Sequence, residues 1–330
     1  MERRSKLMKA LVVKQYGRTD ILEFIDRDVP KPCPDQVLIK VKAASINPRD
    51  WLLMRGLYPF KRLAEPFPIT LGSDMSGTVE AVGDKVRGVK IGDDVFGMQP
   101  IRGKFGAFAE YAAIRESAVA VKPTSISHAE AAAMPCAGMT SYQTLHNLAK
   151  LKPEETILIN GASGGVGSYA IQMAKAQGAH VIAVCGPRNI ELCKRLGADD
   201  VINYETENFE IHTAKYDIVY DVIGRSNFKK SRPALKKRGR YITTIPSLGT
   251  ALSAVWSKLA ALNPFGKQQT AHLVLVKPRR ADLAAMVNIA VEGKLRSLID
   301  SEYPFEQAAA AFEKSQSWRA KGKIILRISD

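Results

Sequence analysis

Between Ile157 and Gly178 the chain passes from an apolar run, Ile157-Leu158-Ile159-Asn160, through Gly161-Ala162-Ser163-Gly164-Gly165-Val166-Gly167, into Ser168-Tyr169-Ala170-Ile171-Gln172-Met173-Ala174. A short apolar stretch, a glycine-rich turn and a helical pattern with Ile171 and Ala174 on one face predict a β-turn-α unit. Gly161, Gly164 and Gly167 stand three apart, so the turn can tighten and the helix can begin close against the strand. Free N–H groups at such a helix start, with the helix dipole behind them, suit a pyrophosphate. A glycine triplet alone marks many turns; flanked by strand and helix it implies a dinucleotide site.

Around that unit the pattern divides in two. Downstream, the strand patterns His180–Val184, Asp200–Asn203, Ile218–Val222, Arg240–Ile245 and His272–Val276 alternate with helical ones such as Asn189–Leu196 and a basic helix before Arg240. Such alternation predicts a parallel, doubly wound α/β sheet. Upstream, Ala10–Val13, Gln36–Ala44, Gly77–Gly83, Gly92–Gly97 and Ala107–Tyr111 read as short glycine-punctuated strands of a barrel-like β region. Residues 45–68, with Pro48, Pro59 and Pro66, predict a loop holding one helical turn. A terminal strand at Lys323–Ile328 is expected to return to the first domain. The expected division is therefore a β-rich domain from 1–128 and 279–330 and a nucleotide domain from 129–278. Within 248–270, Trp256, Leu259, Leu262 and Phe265 fall at near-helical spacing; a flap, a lid and a dimer contact all stay open.

Charge and cysteines narrow the setting. No apolar run approaches a membrane span, so no membrane partner is expected. The start carries no apolar signal core, and four cysteines lack C-x-x-C spacing, so a reducing, cytoplasmic setting is expected. The net charge is +15, and eight Lys and Arg crowd Arg225–Arg240 without an acid. That segment is either a patch for nucleic acid, membrane or another anionic partner, or a solvated helix and turn. Only Phe228 interleaves for base stacking, which favours the solvated reading.

Several motifs follow one another in a fixed order. They are Ser45-Ile46-Asn47-Pro48-Arg49-Asp50 with Arg55-Gly56-Leu57-Tyr58-Pro59, Leu71-Gly72-Ser73-Asp74-Met75-Ser76-Gly77, Gly106-Ala107-Phe108-Ala109-Glu110-Tyr111, the glycine turn, Leu196-Gly197-Ala198-Asp199 and Lys321-Gly322-Lys323. Together they resemble the medium-chain dehydrogenase/reductase superfamily, and more narrowly its zinc-free quinone oxidoreductase (zeta-crystallin-like) branch. The resemblance implies a Rossmann domain, a discontinuous GroES-like β-barrel domain and a homodimer. Alcohol dehydrogenases of that superfamily place a Cys where Asn47 lies and a His-Glu pair where Ser73-Asp74 lies, and they carry a four-cysteine zinc lobe. Here the histidines are dispersed and pair with no cysteine at ligand spacing, so no metal is expected.

The second strand of the nucleotide domain runs into Cys185-Gly186-Pro187-Arg188-Asn189 with no carboxylate at its tip. A carboxylate there would repel the extra phosphate of NADP, whereas Arg188 can fork to it. The bland alternative for Arg188 is a helix-start charge. Tyr204 matches a family tyrosine that reaches the same phosphate, and NADPH is the expected cofactor. By the same resemblance Thr140, Ser163, Gly164, Gly165 and Val166 line the diphosphate and nicotinamide side, with Gly161 and Gly186 in the turns. Ile223, Gly224, Ile245 and Ser247 close over the ribose and ring.

A chain without ligands for a Lewis acid supports alcohol oxidation poorly, whereas a quinone or an α,β-unsaturated carbonyl needs only positioned hydride and a proton. The expected reaction is reduction of such acceptors. Asn47 and Tyr58 are candidates to contact the developing oxyanion, Tyr58 also to relay a proton, and Asp50 to hold the loop. Their bland alternatives are a loop-capping Asn and Asp and a tyrosine packed at a turn. A second reading keeps the nucleotide fold with little or no turnover and applies the basic face to nucleic acid.

Overall fold

The computed structural model describes residues 6–59, 66–100, 106–261, 263 and 266–329. Its elements, in chain order, are β1 Leu7–Val13, β2 Glu23–Asp28, β3 Gln36–Ile46, α1 Pro48–Met54, β4 Ile69–Thr70, β5 Asp74–Val82, β6 Asp94–Met98, β7 Tyr111–Arg115, β8 Val119–Val121, α2 His128–Ala133 and α3 Pro135–Gln143. Then come β9 Thr156–Asn160, α4 Gly165–Ala176, β10 His180–Cys185, α5 Ile190–Arg195, β11 Asp200–Asn203, β12 Tyr216–Asp221, α6 Phe228–Ser231, β13 Leu235–Thr243, α7 Leu248–Ala260 and β14 Thr270–Leu273. The chain ends with α8 Arg280–Val291, β15 Ile299–Pro304, α9 Ala308–Gln316 and β16 Lys323–Arg327. It forms two compact units: one from residues up to Met139 with Lys277–Val291 and the chain from Ser297 on, the other from Thr140–Val276 with Glu292–Arg296.

The first unit is the GroES-like one. Its largest sheet runs β15-β16-β3-β5-β6-β8, with β7 also on β3, and a second sheet runs β2-β1-β4. β3 serves three partners: β5 along its length, β7 at its start and β16 at its end, where Ile46 faces Ile324. Paired along both edges, β3 carries Val37, Ile39, Val41, Ala44 and Ile46 into the core with Met75, Phe108, Phe312 and Leu326, while Lys40 and Lys42 stay half-buried. The terminal strand thus joins the first sheet.

The second unit is a six-stranded sheet in the order β11-β10-β9-β12-β13-β14, every pairing parallel. It is a Rossmann-like, doubly wound α/β sheet. Leu158, Ile182, Val184, Val219 and Tyr241 form its core with Phe209 and Tyr216.

Two local expectations change, and one strand appears where none was expected. The basic stretch before Arg240 is helical only over Phe228–Ser231; Lys236–Gly239 fall within β13 as an irregularity between Leu235, which pairs with Tyr216, and Arg240, which pairs with Ile218 and Thr270. Ala107–Ala109 is not a strand but a buried passage bridging to Ala10, and pairing begins at Tyr111. β15, Ile-Asp-Ser-Glu-Tyr-Pro, shows no apolar alternation, so nothing in its pattern announces the strand that lies parallel to β16. Leu262 and Phe265 lie outside the described residues, while Trp256 and Leu259 fall on α7.

Candidate functional site

In the Rossmann unit the strand ends and the glycine turn make one concentrated place. Gly161 leaves β9 with φ +88°, a left-handed conformation that favours glycine. A Cβ on Gly167 would lie 2.4 Å from the Gly161 carbonyl oxygen and 2.6 Å from Ala162 Cα, so α4 can approach the strand only with glycine there. Gly164 precedes α4 in an extended conformation and supplies no side-chain cap. The first amides of the helix therefore remain for a ligand. Ser141 Oγ fixes the turn from α3 by donating to the Val166 carbonyl at 2.8 Å, and Thr140 is buried next to it in the chain.

The tip of β10 meets this turn. Asn189 Nδ2 donates to Ser163 Oγ at 3.0 Å, while Asn189 Oδ1 is buried with no hydrogen-bond partner. Tyr204 follows β11, and its hydroxyl lies 3.1 Å from where a Gly186 Cβ would stand; the residue is 63% exposed. Arg188 is exposed on the same short turn. Ser163, Gly186, Arg188 and Tyr204 are thus brought together, as a nucleotide site needs. The uncapped helix start, the glycine cradle and the orphaned Asn189 acceptor fit a dinucleotide.

A buried residue absent from the sequence-based site organises the other side. Asp221, fully enclosed at the end of β12, accepts from Asn160 Nδ2 at 3.0 Å and from the Tyr241 hydroxyl at 3.1 Å. Its oxygens also accept backbone N–H groups of Ile223 at 3.3 Å, Gly224 at 3.0 Å and Ser226 at 3.0 Å. One carboxylate thereby shapes the turn that presents Ile223 and Gly224. Ile245 follows β13, its N–H bonded to Thr243 Oγ1. Ser247 caps α7, its Oγ accepting the Thr250 N–H at 3.0 Å.

In the GroES-like unit the candidates gather around a buried charge cluster. Asn47 and Asp50 form a capping box at the start of α1, with the Asn47 N–H donating to Asp50 Oδ2 at 2.8 Å. The Asn47 side chain is committed as well: Nδ2 lies 3.0 Å from Asp74 Oδ2, 3.3 Å from the Ser45 carbonyl and 3.4 Å from Ser73 Oγ. Lys323 Nζ donates to Asn47 Oδ1 and to the Ile46 carbonyl, and stands 3.7 Å from Asp74 Oδ2. Lys323 is 4% exposed and Asp74 not at all. Ser45 Oγ and the Cys136 N–H complete the ring around Asp74, each at 3.1 Å.

Burial pushes the Asp50 carboxyl up to about 7, against the pull of Arg49 and the Asn47 amide. Burial likewise raises Asp74, despite Lys323 and Asn47. Tyr58, half-buried, is raised by burial against the lowering influence of Arg49, with Cys136 and Asp50 adding to the rise. Burial works against the charge of Arg49, yet Cys136, Asp50, Tyr58 and Asp74 together hold it above its ordinary value. Arg49 also donates to the Gln99 carbonyl at 3.1 Å.

Fold and glycine turn together define a medium-chain dehydrogenase/reductase. Residues 33–124 match the alcohol dehydrogenase GroES-like domain and residues 196–326 the zinc-binding dehydrogenase family. The chain is 39% identical to a chloroplast envelope quinone oxidoreductase homolog of Arabidopsis thaliana, over 97% of this chain and 98% of that protein. It is 35% identical to a 2-methylene-furan-3-one reductase of Solanum lycopersicum, over 97% of this chain and 79% of that protein. The quinone oxidoreductase structure from Coxiella burnetii superposes with a TM-score of 0.89 at 31% identity, covering 98% of this chain and 100% of that one. The chain belongs to the quinone oxidoreductase branch of the medium-chain dehydrogenase/reductase superfamily, whose members are NAD(P)H oxidoreductases.

The zinc in one matched family's description finds no fitting donor set among the described residues. No group of three or more His, Cys, Asp or Glu is placed to hold a metal there. At the Asn47–Asp74 cluster the Asp74 carboxylate already faces the Lys323 ammonium, and burial pushes the Cys136 thiol up to about 11 and so away from the thiolate a metal needs. No imidazole among the described residues hydrogen-bonds to Asn47 or Asp74 there.

Proposed function

We propose that the protein is an NADPH-dependent reductase delivering hydride to quinones or α,β-unsaturated carbonyl compounds. The observation that carries the cofactor choice is the β10 tip, where no carboxylate stands and Arg188 and Tyr204 flank Gly186. A guanidinium and a phenol at that place attract a ribose phosphate that an acid would repel. The acceptor class is supported by relatives named for quinones and for 2-methylene-furan-3-one, itself an enone.

Bound NADPH would supply the hydride; the protein positions, orients and handles the proton. The amides of Gly165 and Val166 hold the diphosphate, and the Asp221-braced turn of Ile223 and Gly224 closes over the ribose. Tyr58, its hydroxyl kept protonated by burial, donates to the developing oxyanion. Asp50, titrating near neutrality, stores a proton in the same electrostatic field. Asn47, its amide already engaged, holds the start of α1 rather than the acceptor.

Steady-state oxidation of NADPH and NADH against a panel of benzoquinones and enones tests this reading. NADPH is expected to be preferred, and Arg188→Ala to raise its KM by at least about tenfold while leaving the KM for NADH unchanged. Equal use of both cofactors with an indifferent Arg188→Ala would refute the phosphate assignment.

A further inference from the structure

Helix α7 turns its hydrophobic side away from the protein. The residue it buries is Ser257, 2% exposed, whose Oγ accepts the Ala271 N–H at 2.8 Å and ties the helix to the edge strand β14. Leu248, Leu252, Val255, Trp256 and Leu259, which share one helical face, are between 54% and 78% exposed. A monomer in water gains nothing from five large apolar side chains aligned outward over about 17 Å.

The charge along this stretch of chain is of one sign, with Lys236 and Arg240 paired to Asp217 and Glu155 from elsewhere in the unit. No Asp or Glu occurs between Asp221 and Asp282, whereas thirteen Lys and Arg do, against a net charge of +15 for the whole chain. Because α7 connects the parallel neighbours β13 and β14, it runs back against them and ends at the edge where both begin. Lys237 and Arg238 open β13 there, Lys267 precedes β14 and Lys258 closes the helix, all four exposed. Arg238 Nε donates to Gln268 Oε1 at 3.0 Å, joining the basic strand to the segment after α7.

We propose that this face binds the surface of an anionic phospholipid bilayer, with α7 lying in the interface and the basic groups beside it meeting the headgroups. Aliphatic residues with one tryptophan on an outward helical face, and cations at its end, are what such an interface takes up. A second copy fits less well, since apposing two acid-free segments brings like charges together. Nucleic acid would use the cations but leave the aliphatic stripe uncovered, since bases need stacking platforms. No described helix is long and apolar enough to cross a membrane, so the contact is peripheral. The inference does not depend on the reductase reading.

The test is sedimentation of the full chain with phosphatidylcholine vesicles, with and without phosphatidylserine. Partition is expected to be at least about tenfold stronger with phosphatidylserine and to weaken as salt rises. Leu252→Ser/Trp256→Ser should lower it about tenfold or more while leaving the NADPH-induced thermal shift unchanged. Lys258→Ala and Lys267→Ala should each cost about fivefold, and Trp256→Phe should abolish a vesicle-induced blue shift of emission while keeping partition. Wild-type protein that ignores both vesicles, or a Leu252→Ser/Trp256→Ser variant that binds as well as wild type, would overturn the proposal. So would a dimer that this double variant converts to monomer without vesicle binding, or single-stranded RNA binding that it leaves intact without lipid preference.

Discussion

Lys323 is the residue on which the GroES-like cluster turns, because its ammonium is what makes a fully buried Asp74 tolerable. Removing one member of a buried pair leaves the other uncompensated, so Lys323→Met is expected to destabilise by about 3–5 kcal/mol. Adding Asp74→Asn should recover much of that loss, and urea unfolding of both singles and the double gives the coupling; additivity within about 0.5 kcal/mol would mean the pair is not coupled. Asp50 makes a different statement. Its carboxyl titrates near 7 in the native protein and in the ordinary carboxylate range when unfolded. Between those values the native state binds more protons than the unfolded one, so stability is lost as pH rises through the window, by at most about 1.4 kcal/mol per pH unit. Asp50→Asn keeps an acceptor for the Asn47 N–H and removes the titration; its stability should fall less than that of wild type between about pH 5 and pH 8. A wild-type-like slope in the variant would place the proton elsewhere.

Whole elements show where sequence patterns stop being informative. The glycine turn is legible because its residues act on their neighbours: φ at Gly161 and the closeness of Gly167 to Gly161 are local requirements. Asp221 and Lys323 are not legible, since each acts on residues far away in the chain, Asn160 and Tyr241 for one, Asn47 and Asp74 for the other. The motif ending Lys321-Gly322-Lys323 marks the second of them by resemblance without saying what it does. Lys236–Gly239 sit in β13 as an irregularity between Leu235, paired with Tyr216, and Arg240, paired with Ile218 and Thr270, and those two anchored ends override the look of a basic surface helix. The turn after β12 gives this an experimental edge. Asp221→Asn would set an amide Nδ2 against one set of N–H donors now bonded to the carboxylate. It is expected to cost about 2–4 kcal/mol and to raise the cofactor KM, while kcat with saturating cofactor changes less. Equal losses in kcat and kcat/KM would instead place Asp221 in the chemical step.

At the scale of the molecule, two units with separate cores meet different requirements: one holds an ionic cluster in a β core, the other a nucleotide cradle at the ends of parallel strands. A ligand that binds only the folded Rossmann unit stabilises it by mass action, about 2.7 kcal/mol at one hundred times its Kd. If the Arg188–Tyr204 side of that cradle grips a phosphate, NADPH should raise the calorimetric unfolding temperature more than NADH at equal concentration. Arg188→Ala should bring the NADPH shift down to the NADH one. Chelator should move neither shift, because the cluster around Asp74 already contains its cation as Lys323 and the described residues present no zinc ligand set. Equal shifts for both cofactors in the wild-type protein would refute the phosphate grip. A chelator-dependent fall in unfolding temperature would show that a metal, and not the lysine, balances the buried carboxylate.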